Sequence, residues 1–211
     1  VLAEEDHREA PHGGEVDRFV ERTLRHRAVT EERKRHAAIG PELRRMSELV
    51  REDQLTGSLN RRGLDDVFER ETARADRRGT PLCIAILDLD DFKRLNDTYG
   101  HIAGDAALKH LVQIVKNTLR SMDVIARFGG EEFLILLPET TVEAASQTMT
   151  RLQRDLTKHF FLHENEKVLI TFSAGVALRL PHEGQETLIK RADAAMYKAK
   201  QSGKNRVVVA N

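Results

Sequence analysis

Hydrophobic positions in this chain fall into short blocks of two kinds, which alternate along the sequence. Leu82–Leu87 and Leu134–Leu137 are continuous apolar runs of strand length, and Val124-Ile125-Ala126 is a shorter one. Between such runs, apolar residues recur at three- and four-residue spacing, as on one face of a helix. The pattern predicts a helix over 60–78, a strand over 81–88, a short helix over 91–98 and a longer one over 104–121. A hairpin over 124–137 follows, then a helix over 141–158, a strand over 167–177, a helix over 185–202 and a last strand over 206–210. Strands separated by helices, with one hairpin in the middle, predict an α/β (α+β) sandwich: a mixed central sheet flanked by helices.

Residues 1–52 follow a different pattern. They hold 23 Asp, Glu, Lys or Arg and four His among 52 residues, too few apolar positions for a core of their own. Residues 1–14 lack periodicity and read as a loose tail. A helix is predicted over 15–38, with Val16, Val20 and Leu24 on one stripe. Gly40-Pro41 interrupts it, and Ile39, Leu43, Met46 and Val50 then repeat at spacings of four, three and four. That stripe fits either a short coiled-coil seam between two chains or an amphipathic helix packed on its own domain. The division is therefore a tail and helical linker over 1–52 and one catalytic-size domain over 53–211.

Charge is balanced, with 34 basic and 34 acidic residues. No net field draws the chain to nucleic acid or to an anionic membrane surface. No apolar run is long enough to span a bilayer, and the acidic first residues do not form a signal peptide. Cys83, the only cysteine, lies inside an apolar run, which excludes an internal disulfide and fits a reducing cytoplasm.

Two short segments concentrate chemistry. Asp88 ends the strand Leu82–Leu87, where side chains of α/β proteins meet ligands, and Asp88, Asp90 and Asp91 crowd three carboxylates into four positions. Alternation puts Asp88 and Asp90 on one side if the strand continues, a crowding that favours a cation. The second segment is the hairpin tip, Gly129-Gly130-Glu131-Glu132-Phe133. Paired glycines let a backbone approach a phosphate closely, and two carboxylates supply hard oxygen ligands for Mg²⁺.

The tip resembles the signature of the GGDEF family, the diguanylate cyclases, in its Glu-Glu variant. The resemblance extends to Asp53-Gln54-Leu55-Thr56-Gly57-Ser58-Leu59-Asn60-Arg61-Arg62, to Asp88 through Asp97, to Gly100-His101 with Gly104-Asp105, and to Ala192-Asp193 with Tyr197-Lys198-Ala199-Lys200. It covers 53–211. It implies the palm-like fold of nucleotidyl cyclases and the condensation of two GTP into cyclic di-GMP with release of two pyrophosphates. It further implies a homodimer in the cytoplasm, inhibition by product, and an upstream sensor beyond this sequence. A catalytically silent module that binds GTP or cyclic di-GMP is the alternative, although such relatives usually lose the glycine or carboxylate pattern that this chain keeps.

By that resemblance Asp88, Glu131 and the backbone carbonyl of Leu89 hold Mg²⁺, with Mn²⁺ as a substitute. Glu132 serves either a second metal or deprotonation of the attacking hydroxyl. Phe92, Lys93, Gly129, Gly130, Lys200 and Lys204 meet phosphates, and Lys204 stands where Arg is common in the family. Asn96 and Asp105 are expected to read guanine, whose N1–H and N2–H suit a carboxylate acceptor. Arg120 and Asp123, with Arg151 as a second arginine, match the inhibitory product site. Asp53, Asn60, Arg61 and Arg127 read as structural. His159 and His163 read as a solvent-facing pair, since no third metal ligand lies near.

Overall fold

A computed structural model describes residues 51–164 and 166–210. The stripes predicted within 15–38 and 39–50 lie outside the described residues. Helix α1 (Arg61–Arg78) starts where the Asn60 side chain accepts from the Gly63 N–H, and it stops at Gly79, whose φ of 64° turns the chain. Strand β1 (Leu82–Leu89) is buried along its whole length, as its continuous apolar run requires of a strand covered on both faces. Helices α2 (Phe92–Tyr99) and α3 (His101–Thr118) follow, joined at Gly100. The hairpin of β2 (Val124–Gly129) and β3 (Glu132–Pro138) leads to α4 (Val142–Lys158), opened by a Thr141 cap. Then come β4 (Phe161–His163), β5 (Glu166–Val168), β6 (Phe172–Leu178), α5 (Gln185–Gln201) and β7 (Val207–Val209).

The main sheet has the order β2-β3-β1-β6-β7. Strand β1 is antiparallel to both β3 and β6, and β7 runs parallel to β6, so the sheet is mixed as expected. Alternation along β1 splits the core in two. Cys83, Ala85, Leu87 and Leu89 pack with α3 and α4, while Leu82, Ile84 and Ile86 pack with α1 and α5.

Two expectations needed correction. The strand predicted over 167–177 is two strands: β5 pairs only with β4 in a separate hairpin, and β6 alone enters the main sheet. Strand β4 escaped the periodicity because three residues carry no alternation signal. Helix α3 begins at His101 rather than near 104, because Gly100, at φ 82° and ψ 164°, turns the chain out of α2 directly into it. Asp105 therefore stands inside the helix, not at its start. Among the described residues, no helix is long and apolar enough to cross a membrane.

Candidate active site

The site forms where β1 ends beside the β2–β3 tip. Asp88 pairs in register with Glu132 across β1 and β3, so their side chains share the face that α5 covers. Only Gly130 and Glu131 lie between β2 and β3, and the Leu89 N–H donates to the Glu131 carbonyl at 3.4 Å. Arg127 fastens this tip from behind. Its Nε and Nη2 donate to the Gly130 carbonyl at 3.0 and 2.8 Å, while Nη1 meets both oxygens of Asp53 at 3.2 Å. Burial raises the Asp53 pKa, but hydrogen bonds from Thr56 and the Arg127 charge outweigh it and hold that carboxyl below its usual range. The structural reading of Asp53 and Arg127 thus acquires a partner for each. Gly130 faces open space, so packing is not what calls for glycine there.

Asp88 is only 5% exposed. Burial pushes its carboxyl up, Lys200 pulls it down, and Glu131 and Glu132 push it up again, leaving it above the usual carboxylate range. Lys200 Nζ lies 2.7 Å from Asp88 Oδ1, yet that oxygen has no well-aligned hydrogen bond. Lys200 thus offsets only part of the negative charge that Asp88, Glu131 and Glu132 bring to this end of the sheet. Among the described residues no ready-made cage of three His, Cys, Asp or Glu ligands exists. Mg²⁺ does not need one, since it takes one or two carboxylates and completes its shell with water and substrate phosphate. The donor set, hard oxygens with uncompensated negative charge, fits that ion.

Asp90 and Asp91 do not join this cluster. The Asp90 carboxylate accepts from Thr171 Oγ1, Ser173 Oγ and the Asn205 N–H, so its oxygens are engaged by protein donors. Asp91, at φ 55°, places its carboxylate 2.6 Å from Lys204 Nζ. The Lys204 hydrogen bond outweighs a small burial effect and holds the Asp91 carboxyl below its usual range. Asp91 does not cap α2 with its side chain, so that side chain satisfies none of the first-turn N–H groups at the positive end of the helix dipole. The Phe92 ring packs against the core, so its backbone alone can meet a phosphate. Lys93 is exposed on the same turn.

Asn96 and Asp105 are brought together across Gly104. A Cβ at Gly104 would stand 1.9 Å from Asn96 Oδ1, so glycine at this position leaves room for the Asn96 amide as it is placed. Asn96 Oδ1 is buried without a hydrogen-bond partner, and the Asp105 carboxylate is exposed on the next position of α3.

A second constellation lies at the turn between α3 and β2. Asp123 Oδ2 accepts from the Arg120 N–H at 2.9 Å, whereas Oδ1 is buried and unpartnered. Burial raises the Asp123 carboxyl, against the lowering effects of Arg120 and Arg151. Arg151 is anchored by donating to the Thr118 carbonyl at 3.3 Å. The three residues named from the sequence are therefore neighbours, beside an open groove that Lys116 and Leu59 also line. His159 and His163 are not a pair: His159 bonds the Asp155 carbonyl, and His163 stacks edge-on to Tyr99.

Comparison with known proteins matches residues 50–206 to the family described as diguanylate cyclase, GGDEF domain. Diguanylate cyclase DgcP of Pseudomonas aeruginosa is 45% identical over 158 residues, covering 75% of this chain and 24% of that protein. Diguanylate cyclase DosC of Escherichia coli K12 is 42% identical over 156 residues, covering 74% of this chain and 34% of its own length. The chain thus spans a quarter to a third of these relatives. The GGDEF domain of DgcB from Caulobacter crescentus, solved in complex with c-di-GMP, superimposes with a TM-score of 0.72 at 34% identity over 75% of this chain and 95% of that one. Since the match runs over most of the chain and the fold agrees with it, the chain belongs to the diguanylate cyclase GGDEF-domain family.

Proposed function

We propose that this domain condenses two GTP into cyclic di-GMP, releasing two pyrophosphates. The observation that carries the reading is the buried Asp88 carboxylate, raised by Glu131 and Glu132 and, among the described residues, countered by Lys200. Asp88, Glu131 and the Leu89 carbonyl would hold Mg²⁺ or Mn²⁺, which when bound supplies charge neutralisation on the triphosphate. The chain's own groups do the rest. The first-turn N–H groups of Phe92 and Lys93, together with the Lys93 ammonium, cradle phosphate oxygens. Gly129 and Gly130 leave room for the triphosphate beside the tip. Lys200 is the present counter-charge of Asp88; with a cation held there it would be free to pair with a phosphate.

Asn96 and Asp105 fix the guanine. One chain presents one such half-site, so two chains must face each other. The 3′-oxygen of one GTP then forms a bond to the α-phosphorus of the other as the bond to the bridging oxygen of pyrophosphate breaks. Repeating the step closes the ring. Glu132, in register with Asp88, takes the hydroxyl proton or would hold a second cation. The segment 1–52 acts as the linker from an upstream sensor in a longer cytoplasmic protein.

The deciding experiment is incubation of the purified chain with GTP and Mg²⁺, followed by chromatography of the nucleotides. Cyclic di-GMP and pyrophosphate in a one-to-two ratio are expected; unchanged GTP at high protein concentration would sink the reading.

Base choice gives a sharper test. Asp105→Ser removes the acceptor for the N1–H and N2–H of guanine while leaving Asn96 in place, so the ratio of GTP to ATP turnover falls by about tenfold or more. Initial rates with each nucleotide measure it, and an unchanged ratio would assign base reading to another group.

Arg120, Asp123 and Arg151 form an inhibitory product site in this reading. A guanidinium suits a phosphate, and the free Asp123 Oδ1 suits a guanine edge. Arg120→Ala should raise the cyclic di-GMP concentration that halves activity by about tenfold, the effect of one lost charged hydrogen bond. Wild-type activity unaffected by millimolar product would remove the site.

A further inference from the structure

Among the three acids at the end of β1, Asp90 has the most complete set of partners. Its Oδ1 accepts from Ser173 Oγ at 2.7 Å, and its Oδ2 accepts from Thr171 Oγ1 at 2.8 Å and from the Asn205 N–H at 2.9 Å. Its own N–H donates to the Thr171 carbonyl at 2.8 Å, which continues the β1–β6 ladder one step past the strand. The carboxylate is thus fixed by β6 on one side and presents its remaining capacity to the loop after α5.

That loop has an unusual backbone. Gly203, Lys204 and Asn205 stand at φ 112°, 61° and 45°, three consecutive residues in the left-handed region. Two of them carry a Cβ, for which this conformation is unfavourable and persists only when neighbours impose it. The Asn205 N–H bond to Asp90 is such a constraint, and it acts at the residue next to Lys204. The outcome is visible one residue earlier, where Lys204 Nζ reaches Asp91 at 2.6 Å, at the N-terminus of α2.

We propose that Asp90 is a positioning residue for the nucleotide: it locks the left-handed turn 203–205 and so holds Lys204 at the mouth of α2, where a terminal phosphate lies. The inference rests on the reading of this site as a GTP site. Asp90 touches neither nucleotide nor cation and acts through Lys204 alone.

A double-mutant cycle tests it, read as equilibrium affinity for a GTP analogue with methylene in place of the α,β-bridging oxygen, in Mg²⁺, so that no turnover intervenes. Asp90→Asn and Lys204→Ala should each weaken binding by about tenfold. The double variant should bind no more weakly than Lys204→Ala alone, because the turn has nothing left to position. Additive losses, about a hundredfold in the double variant, would overturn the proposal and leave Asp90 a general support of the fold. So would wild-type affinity in folded Asp90→Asn.

Thermal melting accompanies each variant. If Asp90→Asn does not fold, Thr171→Val keeps the carboxylate and removes one of its three donors. A smaller loss that disappears in the Lys204→Ala background then supports the proposal, and a loss that persists there overturns it. Wild-type protein that fails to bind the analogue would instead remove the nucleotide reading, and this inference with it.

Discussion

Glu131→Gln should reduce cyclic di-GMP formation by about a hundredfold or more while leaving the fold intact. Glu131 occupies one of the two positions of the β2–β3 connection, and its backbone carbonyl, not its side chain, carries the bond to Leu89. No neighbour among the described residues pairs with its carboxylate, so an amide of the same shape disturbs no packing. What changes is charge. Glutamine is a poor ligand for a hard dication, and it also withdraws one of the two carboxylates that push the Asp88 carboxyl upward. The variant should therefore melt at the wild-type temperature and bind the nucleotide base normally, yet fail at turnover over the whole range of Mg²⁺ concentration. Folded Glu131→Gln retaining more than a tenth of wild-type activity would take the tip out of the catalytic machinery.

Local chemistry made this tip legible in the sequence. Glycines, carboxylates and flanking apolar runs sit within a few residues, and a two-residue connection leaves them nowhere else to go. The same holds for α1, expected over 60–78 and found over Arg61–Arg78. Asp90 shows the opposite case. Its spacing from Asp88 suggested a shared cation, but its true partners are 81, 83 and 115 residues away, at Thr171, Ser173 and Asn205. No periodicity reports a contact of that range. Lys204 is similar, since its pairing with Asp91 spans 113 residues. The family resemblance marked it for phosphate without revealing the carboxylate it already faces. The split of the predicted 167–177 strand has a different cause: β-branched and apolar residues continue through Leu169-Ile170-Thr171, where the chain leaves one hairpin for another sheet.

The largest effect on stability is expected at a glycine that chemistry alone would not single out. Gly175 lies in the middle of β6, paired with Ile86 of β1 and Val208 of β7, on the face that α5 covers. A Cβ there would stand 2.0 Å from the Ala192 carbonyl oxygen and 2.3 Å from the Met196 nitrogen. Both are backbone atoms of α5, so no side-chain rotation relieves the clash. Gly175→Ala must lift the helix from the sheet or bend the strand, which overpacking data place at about 1–3 kcal/mol and sometimes more. For a domain of this size that is about 2–4 °C of melting temperature per kcal/mol. Function should suffer beyond this loss, because Lys200 lies one turn past Met196 and its Nζ is held 2.7 Å from Asp88. A helix displaced at Met196 carries Lys200 with it, so affinity for GTP should fall even at temperatures where the variant is fully folded. Denaturant titration and nucleotide binding on the same sample check both parts. A midpoint equal to wild type would show that β6 and α5 do not approach this closely, and lost stability with unchanged GTP affinity would separate Lys200 from the triphosphate.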